Sequence, residues 1–279
     1  MRTGHTAAMD APYVGDELLE TSDLMVQEGR RIVDFARGRG VVLRLLGGLA
    51  VREHCAGARA CRREHMDLDF AGLRKQTEGV IEVFGELGYA ERVHVRVATG
   101  MGQAQFIRDC VHVDGDGGRR HADDHVDVFF DRFKLDHVID LRSRLALHAY
   151  AIPLTDTLAT KLQMHDPEPR DVLDVLMLLA TARAEDSTAD AIDTAYLGKL
   201  CAHDWGMFHD VALNLQRCGE RLADAELSET ERDRAAALLA RCIGAIDSAP
   251  KTLAWRLRAR VGTRRRWWDI VEEQGGTSS

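Results

Sequence analysis

Leu46-Gly-Gly-Leu-Ala-Val-Arg52, followed after a basic interval by His65-Met-Asp-Leu-Asp-Phe70, organises the chain around it. In an extended segment residues i and i+2 share a face, so Asp67 and Asp69 present their carboxylates together while Met66, Leu68 and Phe70 point into a core. Two neighbouring anions repel unless a cation lies between them. Hard oxygen ligands of this kind suit Mg²⁺ or Mn²⁺, which bind one or two protein carboxylates and fill their other positions with water and substrate phosphates. A phosphate site is therefore expected nearby. Gly47 and Gly48 supply one, because glycine lets backbone approach a ligand and Leu49 to Arg52 can start a helix whose N-terminus attracts anions.

Working outward, Val41 to Leu46 is a short apolar run that reads as a buried strand entering the glycines. A helix is expected from Ser22, as N-cap, to Gly38, and a second over Thr77 to Leu87. Glu91 to Ala98 and Gln103 to Val113 alternate as strands, and Asp114-Gly-Asp-Gly-Gly118 turns the second into the strand His125 to Phe130. There Val126, Val128 and Phe130 share one face and Asp127 points to the other, where it can join the first two carboxylates. Lys134 to Leu141 reads as one more edge strand. After Pro153 the apolar spacing becomes helical, with helices expected near 154–162, 172–179, 189–202, 205–223, 228–246 and 250–274. The expected fold class is α+β: a mixed sheet flanked by helices, then an all-helical C-terminal part. The domains expected are a flexible lead at 1–21, a catalytic domain at 22–150 and a helical domain at 151–279.

Taken in order, the strand ending in Gly47-Gly48, the short helix, Asp67-x-Asp69, the Asp127 strand, Lys161 and Arg170-Asp171-x-x-Asp174 resemble the nucleotidyltransferase superfamily with a polymerase-β-like core. The likeness is to its bacterial abortive-infection and antibiotic-modifying branch, and it spans Val41 to Leu179, about half the chain. Leu49 stands where many relatives have Ser or Thr, and the interval from Gly48 to Asp67 is longer than in most. The resemblance implies Mg²⁺ or Mn²⁺ as cofactor and an NTP as co-substrate. It implies that Asp67, Asp69 and Asp127 are catalytic metal ligands, with Asp127 also taking the acceptor's proton. Gly47 and Gly48 would cradle phosphates, and Lys161 would be a catalytic residue neutralising β/γ-phosphate charge. Asp171 and Asp174 match the family's Asp-x-x-Asp helix and, with Arg52 and Arg63, are expected to bind the nucleotide, Arg63 by leaning over its triphosphate. Arg63 reads equally as solvated loop charge. Alone, Lys161 is a snorkelling surface lysine and the two aspartates are helix-start charges, but their order behind the three acids favours the site.

Composition narrows the partners. At 45% hydrophobic and 29% charged residues with five prolines the chain is an ordinary globular one, and no apolar run reaches the ~20 residues of a membrane span. Six cysteines without a C-x-x-C pair, and no secretion signal, point to free thiols and a cytoplasmic protein. Lys251 to Trp268 carries seven cations and no acid, so the net charge of −8 becomes −15 once they are set aside. An acidic body repels a long polyanion, which favours a small-molecule hydroxyl acceptor over RNA. A toxin-like enzyme acting on tRNA or protein, and a non-catalytic nucleotide-binding module, remain as alternatives. Oligomeric state is not legible.

Overall fold

A computed structural model describes residues 16–55, 67–113, 119–182 and 189–269. Along the chain, α1 (Asp16–Arg37) leads to β1 (Leu43–Leu45), α2 (Gly47–His54), β2 (Leu68–Gly72), α3 (Thr77–Glu86), β3 (Ala90–Glu91) and α4 (Val93–Ala98). A long hairpin of β4 (Gln103–Val113) and β5 (Arg119–Phe130) follows, then a small one of β6 (Arg132–Lys134) and β7 (Val138–Asp140). The rest is helical: α5 (Leu154–Leu162), α6 (Pro169–Thr181), α7 (Thr194–His203), α8 (Trp205–Arg221), α9 (Glu229–Ser248) and α10 (Leu253–Val261). The fold is α+β, and the named strands all precede Leu141.

The main sheet has the order β1-β2-β5-β4-β3 and is mixed, since β2 and β5 run parallel while the other neighbours are antiparallel. Leu68, Phe70, Val126, Val128 and Phe106 are buried on one face, where Phe84 of α3 stacks on Phe106 at 4.4 Å and meets Phe70 and Tyr89 edge-on. Alternation puts Asp69, Asp127, Gln103 and Gln105 on the other face. Every residue of α5 is buried, including Thr155, Asp156, Thr157, Thr160 and Lys161, because α2, α6, α7 and α8 all pack against it. Such a helix needs internal partners for its polar groups. Arg144 accordingly reaches Asp156 with its Nη2 at 2.8 Å. One hydrophobic cluster runs from Val26 on α1 to Ile246 on α9. No helix among the described residues is long and apolar enough to cross a membrane.

Four sequence expectations are corrected. The first helix starts at Asp16, not at a Ser22 cap, because the strong helix formers ahead of Ser22 continue it. The alternating stretch Glu91 to Ala98 contributes only Glu91 to the two-residue β3 and then coils into α4, since Val95 is buried but Val93 and Val97 are exposed and offer no packed strand face. Lys134 to Leu141 is not a single strand: Leu135 to His137 turn the chain back, with the Leu135 N–H donating to the His137 carbonyl, and β6 pairs with β7. The last helix stops at Val261, where Gly262 takes a φ of +56°.

That last helix also faces the other way from its leucine spacing. Leu253 and Leu257 are 72% and 53% exposed, and Trp255 packs edge-on against Phe208 instead. Beyond it, the Trp267 indole N–H donates to Asp210, which is fully buried on α8 and also receives hydrogen bonds from His137 (2.8 Å) and His165 (3.1 Å). Burial alone would push this carboxyl up, but the His137, His165 and Trp267 bonds hold it below the usual carboxylate range. Trp268 stacks on His165 at 3.7 Å, and the Asp269 N–H donates to the Asp136 carbonyl.

Asp210→Ala removes the common acceptor of two imidazoles and an indole. It should lower the unfolding free energy by about 3–5 kcal/mol, the cost of breaking a buried polar network. Urea titration measures this, and a loss below about 1 kcal/mol would show that Asp210 does not fasten the C-terminal segment.

Candidate active site

Asp69 is the polar residue between buried Leu68 and Phe70, and its carbonyl accepts the Leu46 N–H at 2.8 Å, which ties β2 to the chain entering α2. Gly47 begins that helix with φ +60°, and a Cβ there would lie 2.5 Å from Asp69 Oδ2. Glycine is thus required twice, for the left-handed backbone and for the space the carboxylate fills. Leu46 provides no side-chain cap, so the anion packs against a helix start whose own N–H groups are open to an acceptor.

Asp127 stands directly opposite Asp69 in the parallel register of β2 and β5. Gln103 and Gln105 donate to its Oδ1 at 2.8 and 3.1 Å. Asp67 lies just ahead of β2 and is exposed. Its charge still reaches Asp69. Burial first, then the charges of Asp127 and Asp67, push the Asp69 carboxyl up to about 7, against a smaller opposing pull from Lys161. A carboxylate this reluctant to ionise, beside a second one, is a set of hard donors suited to Mg²⁺ or Mn²⁺.

Lys161 on α5 is buried, with Nζ 2.8 Å from Asp171 Oδ1 and 3.0 Å from Asp174 Oδ2. Burial would lower its pKa, but Asp174 and Asp171 more than offset this and hold the ammonium above its ordinary value. Asp171 also closes a capping box with Glu168 at the start of α6. The structure therefore joins Lys161, Asp171 and Asp174 in one ion triad next to the Asp69–Asp127 pair. Arg52 is nearly buried and gives Nε and Nη2 to Asp23 of α1. Gly48 follows Gly47 in the first turn of α2. Arg63 lies outside the described residues, as does the turn at 114–118.

Sequence reasoning missed Gln103 and Gln105. Their signal was i, i+2 spacing on the strand that hairpins with the Asp127 strand. It also missed a cluster of His54, His148 and Asp190, whose ligand atoms lie within 4.8 Å of one another. His148 Nδ1 accepts the N–H groups of Tyr150 (3.2 Å) and Ala151 (2.9 Å), so its proton sits on Nε2, toward Asp190 Oδ1 at 3.2 Å. His54 Nε2 donates to the Ile152 carbonyl at 2.8 Å, and burial lowers its pKa to about 4. With both nitrogens of His148 engaged, this cluster is a loop fastening and not a metal centre.

No protein-family model matches the chain, and no curated protein does. Among solved structures, the chain is similar to an antigenic nucleotidyltransferase-like protein from Paracoccidioides brasiliensis, at 12% identity and a TM-score of 0.37, covering 78% of this chain and 97% of that one. At that TM-score the likeness is too loose to assign an activity to this chain.

An acid whose folded pKa is raised binds its proton more tightly folded than unfolded. Its stabilising contribution is complete below about pH 4 and is lost as pH rises toward 7. Relative to Asp69→Asn, the metal-free wild type should therefore lose on the order of a few kcal/mol across that window, leaving the variant the more stable protein at about pH 8. Chemical unfolding at a series of pH values measures the difference. Identical pH slopes would contradict it.

Proposed function

We propose that the chain is a metal-dependent nucleotidyltransferase that moves a nucleoside monophosphate from an NTP to a hydroxyl group of a small molecule. The observation that carries this reading is the side-by-side placement of Asp69 and Asp127 by strand register, with Gly47 keeping the start of α2 open beside them. Asp69 and Asp127, with Asp67 at the rim, would hold Mg²⁺ or Mn²⁺, which when bound neutralises triphosphate charge and polarises the transferred phosphoryl group. Gly47 and Gly48 offer backbone N–H groups to phosphate oxygens. Because Gln103 and Gln105 hold Asp127 Oδ1 at 2.8 and 3.1 Å, Oδ2, which has only a 3.4 Å contact from Gln105, is the oxygen left for the cation. Lys161 has two of its three donors on Asp171 and Asp174, and it serves the site through its charge, offsetting charge that develops as pyrophosphate leaves.

A small acceptor is favoured over RNA by the aromatic residues as well as by the charge. Base stacking needs open rings. Trp267 is held on Asp210, Trp255 against Phe208 and Trp268 on His165. The exposed Arg256, Arg260, Arg264, Arg265 and Arg266 support RNA as the second reading, through phosphate contacts alone.

Incubation with each α-labelled NTP and Mg²⁺, with either the small-molecule fraction of a cell extract or total RNA, tests both readings. Label should move to a small molecule, and Asp69→Asn or Asp127→Asn should reduce transfer by about a hundred- to a thousandfold, the usual cost of removing a preorganised electrostatic group. Label recovered in RNA would overturn the acceptor, and full activity in Asp127→Asn would overturn the site.

A further inference from the structure

Asp127 does not set its own orientation. Gln105 is its direct partner across the antiparallel β4–β5 ladder, and Gln103 lies two residues along on the same face, opposite Phe129. Both amides converge on one oxygen: Gln103 Nε2 is 2.8 Å and Gln105 Nε2 3.1 Å from Asp127 Oδ1, against 3.4 Å from Gln105 to Oδ2. The Gln105 amide is in turn oriented from behind, because Arg92 Nη1 donates to its Oε1 at 3.1 Å. An amide whose oxygen faces a guanidinium must turn its NH₂ the other way, toward Asp127. Arg92 is itself fixed by its backbone, whose N–H donates to the Gln105 carbonyl at 2.8 Å where β3 ends and α4 begins. The turn that replaced an expected strand is therefore what brings Arg92 to the site.

We infer that Arg92, Gln105 and Gln103 are positioning residues that fix the Asp127 carboxylate with Oδ1 held by the two shorter bonds and Oδ2 by only the longer Gln105 contact, and so set the affinity of the site for a divalent cation. This rests on the proposed function, in which Asp127 is a cation ligand. The choice of side chains fits the task. A lysine or arginine in place of either glutamine would neutralise Asp127 and compete with the cation, whereas a neutral amide fixes the carboxylate without cancelling its charge. Arg92 stays one residue removed, with Gln105 between its guanidinium and the carboxylate. Hydrogen-bond partners of ligating carboxylates act in this way generally, and their loss costs about 10- to 100-fold in metal affinity.

Titration calorimetry with Mn²⁺ alone, on the full chain, tests the inference without any acceptor or turnover. Wild type should bind Mn²⁺ and Asp69→Asn should not. Gln103→Leu/Gln105→Leu should bind about 10- to 100-fold more weakly at an unchanged melting temperature. Arg92→Leu should weaken binding several-fold, since it frees the Gln105 amide to turn over, and Arg92→Lys, which keeps a donor, should restore most of the loss. Rescue by lysine distinguishes positioning from simple packing. If the double variant does not fold, Gln105→Leu and Arg92→Leu make the same comparison. Wild-type affinity in the folded glutamine and Arg92 variants would overturn the inference and leave the proposed function standing. Absence of Asp69-dependent Mn²⁺ binding in the wild type would overturn both.

Discussion

Two carboxylates on adjacent parallel strands, Asp69 opposite Asp127, are the constraint to which the surrounding structure answers. Placed in register and partly buried, they repel each other, and burial with the charges of Asp127 and Asp67 makes Asp69 resist ionisation. Each neighbour offsets part of that cost. Gly47 gives up a side chain so that Asp69 can lie against a helix start, the glutamines donate to Asp127, and Lys161 contributes an opposing charge from α5. Folding alone gives no reason for such a pair, since apolar residues at either position would remove the repulsion.

The helical half supports this arrangement by fixing Lys161. A lysine buried by itself would shed its proton. Asp171 and Asp174, one turn apart on α6, keep it charged, and the capping box at Glu168 fixes where that turn begins. The connection between α5 and α6 is fixed separately. The His165 ring is bound to Asp210 and stacked under Trp268, and the Asn214 amide donates to the Leu162 and Met164 carbonyls. Burial of all nine residues of α5 thus does more than fill a core: it holds one cation within electrostatic reach of Asp69.

Period-2 spacing around Asp127 and Leu68, the two glycines and the switch to helical spacing at Pro153 made the sheet and the acidic pair legible in the sequence. Where expectation failed, tertiary context decided. Val93, Val95 and Val97 alternate like a strand, yet only Val95 has a buried surface to meet, so the segment coils into α4. Leu253 and Leu257 have the spacing of a buried seam, but Trp255 contributes more packing area on the opposite face and turns α10 over. Arg52 has the charge for a phosphate contact, but Asp23 on α1 takes its guanidinium. The pairing of Lys161 with Asp171 and Asp174 was not legible, because pairing across α5 and α6 leaves no mark in spacing. The Gln103–Gln105 hold on Asp127 depends on strand register, which a sequence pattern fixes only after the hairpin is known.

Anomalous diffraction from crystals soaked with Mn²⁺ and a non-hydrolysable NTP tests the central claim most directly. A Mn²⁺ peak shared by the Asp69 and Asp127 carboxylates is expected, with Asp127 bound through Oδ2 and the triphosphate reaching the start of α2 at Gly47. A nucleotide seated elsewhere, or Mn²⁺ on other side chains with Asp69 and Asp127 left free, would contradict it.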